Sequence, residues 1–348
     1  MPKLRVLAAS VALALGATCA TAADKPVRWN MQSWFPSKLP QAGSIGKAIE
    51  TKINLVSGGN IQIKFFEPGA LVPPPQCFDS VASGALAACW STPAYWHGKD
   101  PAFSVFSAVP FGPGWGELLG WFYSGGGREI YDELYHKHGI HAMPCGGMVP
   151  EASGWFKKDV KSVKDLKGLK MRILGLGGST VEKLGVSPQL LPGGEVYPAL
   201  ELGTIDAAEF AAPTVDLVLG FHQVAKSYWF PGWHQPSTFY DLMMNKKNWD
   251  GLSKTQQAQI ESVCGDNVRQ LIAEGEAAQT KALRELQSKG VKINKWSKSD
   301  LDELHKAWMT VAQEYSAKSP MFKRAFDSQQ AFRKDYKMWK DLQTLPEY

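Results

Sequence analysis

Hydrophobic residues alternate with polar ones in two short stretches near the beginning of the chain. The stretches are VRWNMQS at residues 27–33 and IQIKFF at residues 61–66, and their period of two is typical of β-strands with one buried face. Between them, residues 41–57 keep a helical spacing of apolar positions and are followed by Gly58 and Gly59, which favour the end of a helix. The pattern therefore predicts a strand, a helix and a second strand.

Helices and strands go on alternating through the middle of the chain. We predict further helices at residues 75–83, 116–139, 179–184 and 196–202, and further strands at residues 87–91, 140–147, 170–174, 189–194 and 207–213. Strands that alternate with helices form largely parallel sheets whose ligand sites lie at the carboxyl ends of the strands. Because 348 residues are enough for about two domains, we expect two α/β lobes.

The character of the chain changes after Asp250. Ser253 and Gln256 form an S-x-x-Q capping box, and apolar residues keep helical spacing from there to Gly290. This pattern predicts one long helix, with a break allowed near Gly275. A strand at residues 291–294 and two helices near residues 301–315 and 320–343 complete the chain.

The first residues of the chain have the pattern of an export signal. Two cations close to Met1 precede an apolar run at residues 6–17 and small residues at Ala20 and Ala22, so we predict a secretory signal at residues 1–23 and a periplasmic location for the mature protein. Removing the signal lowers the net charge from +5 to +3. Such a small charge, with both signs mixed along the chain, argues against nucleic-acid binding.

Four cysteines remain after the predicted signal: Cys77, Cys89, Cys145 and Cys264. Disulfides can form outside the cytoplasm, and four cysteines allow three pairings, among which the sequence does not choose. None of the spacings is C-x-x-C, which argues against a zinc or redox role for these residues.

Residues 170–185, KMRILGLGGSTVEKLG, look like a strand, a glycine-rich turn and a helix. A nucleotide-binding fingerprint needs a helix of about three turns and an acid at the end of the next strand. Here the predicted helix ends at Gly185, Glu195 lies in a turn, and the lysine of a P-loop is missing. These differences argue against a bound nucleotide.

Arg172 lies at the end of that predicted strand, directly before the glycines. An arginine beside a turn with exposed backbone N–H groups is suited to hold a carboxylate by two parallel hydrogen bonds. The alternative is a surface arginine or one that only forms a salt bridge.

Three histidines occur close together in YHKHGIH, at His136, His138 and His141. They could form a metal cluster, but they span the end of a helix and the beginning of a strand, so we expect their side chains to diverge in a solvated turn. The sequence lacks the G-x-S-x-G and H-E-x-x-H motifs, which weakens the hypothesis of a hydrolase.

Three separate segments resemble a known family. SVKDLKGLKMRILG (162–175), EVYPALELGTIDAAEFAAP (195–213) and YWFPGWHQPSTFYDLMMNKKNWDGL (228–252) are similar to the solute-binding proteins of tripartite ATP-independent periplasmic (TRAP) transporters, above all to those that bind 2-oxo acids. The resemblance extends back through AYWHGKDPAF (94–103) and covers nearly the whole mature chain. It implies a two-lobed periplasmic binding protein of α/β class (type II-like), with a long bracing helix, C-terminal helices and the ligand closed between the lobes.

The resemblance also implies how the chain divides. We assign residues 1–23 to the signal, 24–148 with about 236–262 to one lobe, about 149–235 with 263–296 to the other, and 297–348 to the C-terminal helices.

The ligand set is likewise implied by the resemblance. Arg172 matches the arginine that binds the ligand carboxylate. A cation beside it would be held by Glu209, the backbone carbonyl of Phe210, Glu151 and Gln235, with glutamate and glutamine exchanged relative to the family at the last two positions. Because all four donors are oxygens, we expect Na⁺, with Ca²⁺ as the alternative. The competing interpretation is that Glu151 and Gln235 are ordinary surface residues.

Aromatic residues complete the expected site. Trp34, Tyr95, Trp96 and Trp233 follow predicted strands and would face the cleft, where they exclude water and lower the dielectric around Arg172. The sizes of Trp96 and Phe210 would limit the length of the acid.

The resemblance implies a binding protein that captures a small carboxylate and is not an enzyme. The expected ligand is a 2-oxo acid such as pyruvate, which the protein would deliver to membrane permease subunits, and a homodimer through the C-terminal helix is an additional expectation. Two alternatives stay open: a TRAP protein for a hydroxy acid or an aromatic or hydrophobic carboxylate, and a periplasmic enzyme using Glu151 and Glu209 as an acid–base pair.

Overall fold

The structure is a computed structural model that describes residues 24–343 and residue 345. The predicted signal at residues 1–23 therefore lies outside the described residues. The strands are β1 (Val27–Ser33), β2 (Ile61–Phe66), β3 (Ala88–Ser91), β4 (Ile140–Met148), β5 (Gly154–Phe156), β6 (Lys170–Arg172), β7 (Ser187–Gln189), β8 (Ala207–Ala208), β9 (Ser227–Phe230), β10 (Thr238–Asn245) and β11 (Lys292–Lys295). The α-helices are α1 (Ala42–Val56), α2 (Cys77–Ser83), α3 (Trp115–Ser124), α4 (Gly127–His136), α5 (Gly175–Glu182), α6 (Gly193–Leu202), α7 (Pro213–Leu219), α8 (Lys246–Asp250), α9 (Lys254–Ser288), α10 (Lys298–Lys318) and α11 (Pro320–Gln343).

The strands form two sheets, which define two lobes. The first sheet has the order β2-β1-β3-β10-β4 and the second the order β11-β9-β5-β8-β6-β7. Neighbouring strands are parallel except at β10 in the first sheet and β5 in the second, each of which runs antiparallel to both of its neighbours. The chain crosses to the second lobe between β4 and β5 and returns between β9 and β10. This arrangement confirms the predicted two-lobed α/β fold, with one reversed strand in each sheet.

Several predicted helices differ in detail from the structure, and two of them have a clear explanation. The helix expected at residues 116–139 is divided into α3 and α4, because Gly126 takes a positive φ of 86° between them. The long helix α9 has no break at Gly275. A β-carbon at that position would lie 2.6 Å from Cγ1 of Val149, so Gly275 is explained by the close approach of the helix to residue 149.

Helix α9 connects parts of both lobes, as expected of a bracing helix. It packs on β4, α1 and α7, and its first turns are fixed by the capping box of Ser253 and Gln256. The disulfide between Cys145 and Cys264 joins β4 to α9, and the second disulfide, between Cys77 and Cys89, joins α2 to β3. The C-terminal helices divide between the lobes, since α10 packs on α5 while α11 packs on α3 and α4.

The two lobes are closed against each other. Gln41 of the first lobe donates a hydrogen bond to Thr214 of the second at 2.8 Å. On another side of the cleft, the hydroxyl of Tyr315 lies 2.9 Å from both His97 and Ser179 and so links the lobes through α10.

Within residues 24–343, no helix combines the length and the apolar character that a membrane crossing requires.

Candidate functional site

Two charged side chains meet at the edge of the second sheet. Arg172 is the last residue of β6, and Glu209 directly follows β8, which is the parallel neighbour of β6 with Arg172 opposite Ala208. Because the carboxyl ends of parallel strands lie at the same edge of a sheet, the two side chains come together. Both are buried, with 1% and 0% of their surface exposed.

Three further polar residues reach the same edge, one before the reversed strand β5 and two after β9. Since β5 is antiparallel to β8 and β9, the residues that precede it lie where β8 and β9 end. Glu151 comes shortly before β5, while His234 and Gln235 come shortly after β9. All three are buried, so Glu151 and Gln235 are not surface residues.

Arg172 is held by protein atoms on one side of its guanidinium group. Its Nη1 donates to the backbone carbonyl of Glu209 at 2.6 Å and to Oε2 of the same residue at 3.0 Å, and its Nε donates to the carbonyl of Leu191 at 3.3 Å. The ring of Phe210 lies 4.7 Å from the guanidinium carbon. These contacts use the N–H groups of Nη1 and Nε and leave those of Nη2 for a further group.

The two carboxylates differ in protonation. Burial, followed by the negative charge of Glu209, raises the pKa of Glu151 well above its ordinary value. For Glu209, burial also acts to raise the pKa, but Arg172 and then His234 outweigh it and hold the pKa at about 2. At neutral pH Glu209 is therefore ionised, whereas Glu151 retains a proton unless another positive charge replaces it.

Several polar atoms of this group lack a partner. Nε2 of Gln235 donates to Oε1 of Glu151 at 2.6 Å, while Nε2 of His234 stays 3.6 Å from Oε2 of Glu151 and 3.4 Å from Oε1 of Glu209. Among the described residues, Oε2 of Glu151, Oε1 of Glu209, Oε1 of Gln235 and Nε2 of His234 are buried without a hydrogen bond. Buried oxygens of this kind are costly unless they are satisfied, so the residues present fit a bound cation.

The first lobe presents aromatic rings towards the cleft. Trp34 follows β1 and Tyr95 follows β3, which is parallel to β1, and their rings lie 4.2 Å apart. Trp96 packs edge-on against Trp34 at 5.7 Å. Burial raises the pKa of Tyr95 to about 12, although the nearby Arg172 acts in the opposite direction. Tyr95 thus connects the aromatic group to the charged one.

Trp233 lies apart from these rings. Its ring is 5.9 Å from that of Phe111, and it belongs to the hydrophobic cluster of the second lobe. Trp233 therefore does not pack with Trp34, Tyr95 and Trp96, although it contacts Phe111 of the first lobe and lines a cavity together with Glu151. Its role at the cleft stays a prediction, and the next residue, His234, lies beside the carboxylates.

The glycines after Arg172 belong to a helix and not to the turn that the sequence predicts. They form the first turn of α5, which begins at Gly175 rather than at residue 179. A β-carbon at Gly175 would lie 3.2 Å from Oγ of Ser104 in the first lobe, and one at Gly177 would lie 3.0 Å from Cβ of His234. The glycines allow close contact between protein segments, so they are explained without an approaching anion.

The predicted solvated turn of histidines is wrong for two of its three members. Nε2 of His136 and Nδ1 of His141 are 3.0 Å apart, so these side chains converge. Burial lowers the pKa of His141 to about 3. Only His138 diverges, and it packs against Phe78 and Phe103.

Two residues beside the candidate site were missed from the sequence, His234 and Tyr240. His234 lies in PGWHQP, directly beside the proposed ligand Gln235, and its position after a strand was the available signal. Tyr240 lies within β10 next to the end of β3 and packs against Phe35 at 4.9 Å. Burial, then the charge of Glu151, raises the pKa of Tyr240 well above its ordinary value.

Comparison with known proteins gives a consistent result. The model of the DctP family, described as bacterial extracellular solute-binding protein, family 7, matches residues 32–319. The monocarboxylate 2-oxoacid-binding periplasmic protein of Nostoc sp. is 34% identical over 320 residues, which cover 92% of this chain and 87% of that protein.

Solved structures agree with the fold and with the sequence match. A TRAP transporter solute-binding protein of Bordetella bronchiseptica, a mixed-occupancy dimer with copurified calcium and picolinate, is 35% identical with a TM-score of 0.89, and the match covers 92% of this chain and 95% of that one. A TRAP periplasmic solute-binding protein of Pseudoalteromonas atlantica with bound sodium and pyruvate is 32% identical with a TM-score of 0.87, and the match covers 92% and 97% of the two chains.

Proposed function

The chain belongs to the bacterial extracellular solute-binding proteins of family 7, and we propose that it captures a small 2-oxo monocarboxylate, such as pyruvate, together with a cation. Its relatives include a periplasmic 2-oxoacid-binding protein and a solute-binding protein of a TRAP transporter. The ligand, the ion and the residues that hold them are our proposal for this chain.

The observation that carries the proposal is the buried group around Arg172. Its bonds to Glu209 are made by Nη1, and the donors of Nη2 suit a carboxylate. The unpaired oxygens of Glu151, Glu209 and Gln235 lie in the same group and suit a hard cation. An acid with an oxygen on the carbon next to its carboxylate can use both features, because that oxygen and one carboxylate oxygen can bind a single ion while the carboxylate also contacts Arg172.

We assign the cation to Glu151, Glu209, Gln235 and the backbone carbonyl of Phe210. An ion there supplies the positive charge that two buried carboxylates and an anionic ligand require. Na⁺ is our first choice and Ca²⁺ the second, and both occur in the related structures described above. His234 faces the same two carboxylates, with its Nε2 3.6 Å from Oε2 of Glu151 and 3.4 Å from Oε1 of Glu209.

Closure of the lobes explains capture. Arg172 and the carboxylates belong to the second lobe, whereas Tyr95 and Trp34 belong to the first, so a ligand between them contacts both. A ligand shifts the open and closed populations only through such a difference in contacts. We propose that the closed form is delivered to membrane permease subunits and that the acid leaves chemically unchanged.

A thermal-shift screen tests this proposal. The panel contains 2-oxo acids, hydroxy acids, dicarboxylates and aromatic acids, each with and without chelator and with Na⁺ replaced by K⁺. We expect pyruvate or a close homologue to raise the Tm most, because a ligand at 100 times its Kd stabilises the folded state by about 2.7 kcal/mol. If no acid raises the Tm, or if nuclear magnetic resonance of the incubated acid shows turnover, the proposal is wrong.

The end of α11 supports a homodimer as a further part of the proposal. Met338, Trp339 and Leu342 on this helix are exposed, by 74%, 58% and 75%, and apolar surface of this kind is typical of an interface. Size-exclusion chromatography with light scattering should show that the protein is a dimer. Trp339→Glu should convert the dimer to a monomer that still binds the ligand. A monomeric wild-type protein would exclude this part alone.

A further inference from the structure

A second group of metal-binding side chains lies in the first lobe, away from the cleft. Asp132 and His136 are separated by one helical turn on α4 and therefore share a face, and His141 is the second residue of β4, on which α4 packs. One ligand atom from each of the three lies within 4.8 Å of the others. Nε2 of His136 and Nδ1 of His141 are only 3.0 Å apart.

The geometry of this group is fixed by its surroundings. The ring of His141 is stacked on Trp249, with centroids 4.2 Å apart and an angle of 12° between the planes. His141 is buried, with 6% of its surface exposed, whereas Asp132 and His136 are half-buried. The group is thus rigid on its inner side and open to an ion from solvent on its outer side.

The donor atoms select a class of ion. Two imidazole nitrogens and one carboxylate oxygen suit Zn²⁺ and similar transition metals, whereas Ca²⁺ and Na⁺ prefer oxygen ligands alone. We propose that Asp132, His136 and His141 form a zinc site with three protein ligands and a fourth position open to water.

Arg128 is the group that competes with the ion. Its Nε lies 3.7 Å from Oδ2 of Asp132, and its Nη2 also donates to Glu261 at 3.2 Å. Because Glu261 remains as a partner, Arg128 can give up Asp132 without becoming unpaired. The nearby positive charge still opposes an incoming cation, so we expect a dissociation constant in the micromolar range.

Binding would join α4 to β4 and thereby stabilise the first lobe. An ion that binds the folded chain more tightly than the unfolded chain raises the Tm in proportion to the logarithm of its free concentration. The effect is independent of the carboxylate ligand, because the three residues lie outside the cleft.

The test uses the untagged mature protein after treatment with chelator. Zn²⁺ is titrated by calorimetry, and Co²⁺ is added separately to observe the visible absorption of a four-coordinate site. His136→Gln and Asp132→Asn should weaken Zn²⁺ binding by ~10-fold or more and remove the Co²⁺ bands. Neither variant should change binding of the carboxylate.

Two control variants make the result specific. His138→Gln changes a histidine of the same segment that packs against Phe78 and Phe103, and it should leave Zn²⁺ binding unchanged. Glu209→Gln removes one carboxylate from the cleft and should also leave Zn²⁺ binding unchanged. The proposed site is wrong if the wild-type protein does not bind Zn²⁺ at about 100 times the expected micromolar dissociation constant. It is also wrong if His136→Gln binds Zn²⁺ as tightly as the wild type, or if Glu209→Gln removes the Co²⁺ bands.

Discussion

The two walls of the cleft are built at equivalent positions but from opposite kinds of residue. In both lobes the side chains follow the carboxyl ends of parallel strands. The second lobe places Arg172 and Glu209 there, and Glu151 joins them from the residues before the reversed strand β5. The first lobe places Trp34 and Tyr95 at these positions. The fold thus sets where the site lies, and the residues after each strand decide what each wall recognises.

Because the two walls differ in chemistry, we expect the charged wall to supply most of the affinity and the residues that limit space to determine selectivity. A buried charge is costly without a partner, so the charged wall gains most when a carboxylate and a cation complete it. This gain is nearly the same for every acid of this class. The aromatic wall contacts the remainder of the ligand and excludes water, which strengthens the charged contacts. We therefore expect the largest losses from the second lobe and the changes in ligand preference from the residues that limit space.

The largest effect should come from Arg172→Met. A hydrogen bond to a charged group contributes about 1.5–3 kcal/mol, and the variant also leaves Glu209 to repel the incoming carboxylate, so ligand affinity should fall by ~100-fold or more. Calorimetry with the best acid of the screen measures this loss. Circular dichroism must show that the variant is folded, and the double variant Arg172→Met/Glu209→Gln removes the unpaired buried charge if it is not. Affinity within tenfold of wild type would place the carboxylate elsewhere.

Glu209→Gln should come next and should act through the cation. It removes one of two carboxylates and about half of the negative charge at the proposed ion site, so we expect the cation to bind ~10-fold or more weaker. The dependence of ligand binding on Na⁺ or Ca²⁺ measures this change.

Asp216→Asn is the matched control for that variant. Asp216 is a buried carboxyl of the same lobe, but its Oδ2 accepts hydrogen bonds from Trp155 and Tyr228. Burial raises its pKa to about 8 although these two bonds act in the opposite direction, so it is largely protonated at neutral pH and asparagine resembles it. The cation dependence should be unchanged. An equal loss in both variants would show that any buried change in this lobe disturbs the site.

The protonation of Glu151 predicts that the affinity of the charged wall for its cation depends on pH. Because burial and then Glu209 raise the pKa of Glu151, the cation must displace a proton from it. Cation affinity should therefore fall as the pH is lowered from 8 to 5, by up to ~10-fold for each pH unit. Calorimetry in buffers of different ionisation enthalpy should detect close to one proton released for each ion bound. Unchanged affinity across this range, or no release, would contradict the assignment of Glu151 as a ligand.

These contrasts also show which residues of the candidate site could be predicted from the sequence. Arg172 was accessible from the sequence because it lies at the end of a predicted strand, directly before the glycines. The resemblance to a family added Glu209, Glu151 and Gln235, which local patterns do not connect. All four were identified before the fold was known, and their roles as ligands stay predictions.

Other features depend on contacts between distant segments. The glycines after Arg172 have the appearance of an anion-binding turn, but Gly175 takes a positive φ of 54° and lies close to Ser104 of the other lobe. His136 and His141 converge because α4 packs on β4, and the spacing of the histidines does not contain that information. Local propensity describes neighbours in the chain, and these residues are determined by neighbours in space.

On the aromatic wall, Tyr95→Phe should have a smaller effect than the changes to the charged wall. The hydroxyl of Tyr95 lies near Arg172, at the point where the two walls meet, and its removal loses at most one hydrogen bond to a charged group. We expect ligand affinity to fall by ~10-fold, with the cation dependence unchanged. Calorimetry at two cation concentrations separates these quantities, and a loss of cation dependence would mean that the two walls do not act separately.

The smallest effect on the preferred acid should come from Phe210→Trp, and it should change selectivity instead. One edge of the Phe210 ring already lies against Gly193, where an added β-carbon would be 2.7 Å from Cζ, so a larger ring must extend towards Arg172 and the ligand. Overpacking costs about 1–3 kcal/mol. Pyruvate should therefore bind within about threefold of wild type, while 2-oxo acids with longer chains lose ~10-fold or more. Parallel titrations of pyruvate and its longer homologues measure the ratio. If all acids weaken equally, Phe210 supports Arg172 through its ring alone, and the limit on ligand length belongs to the aromatic residues of the first lobe.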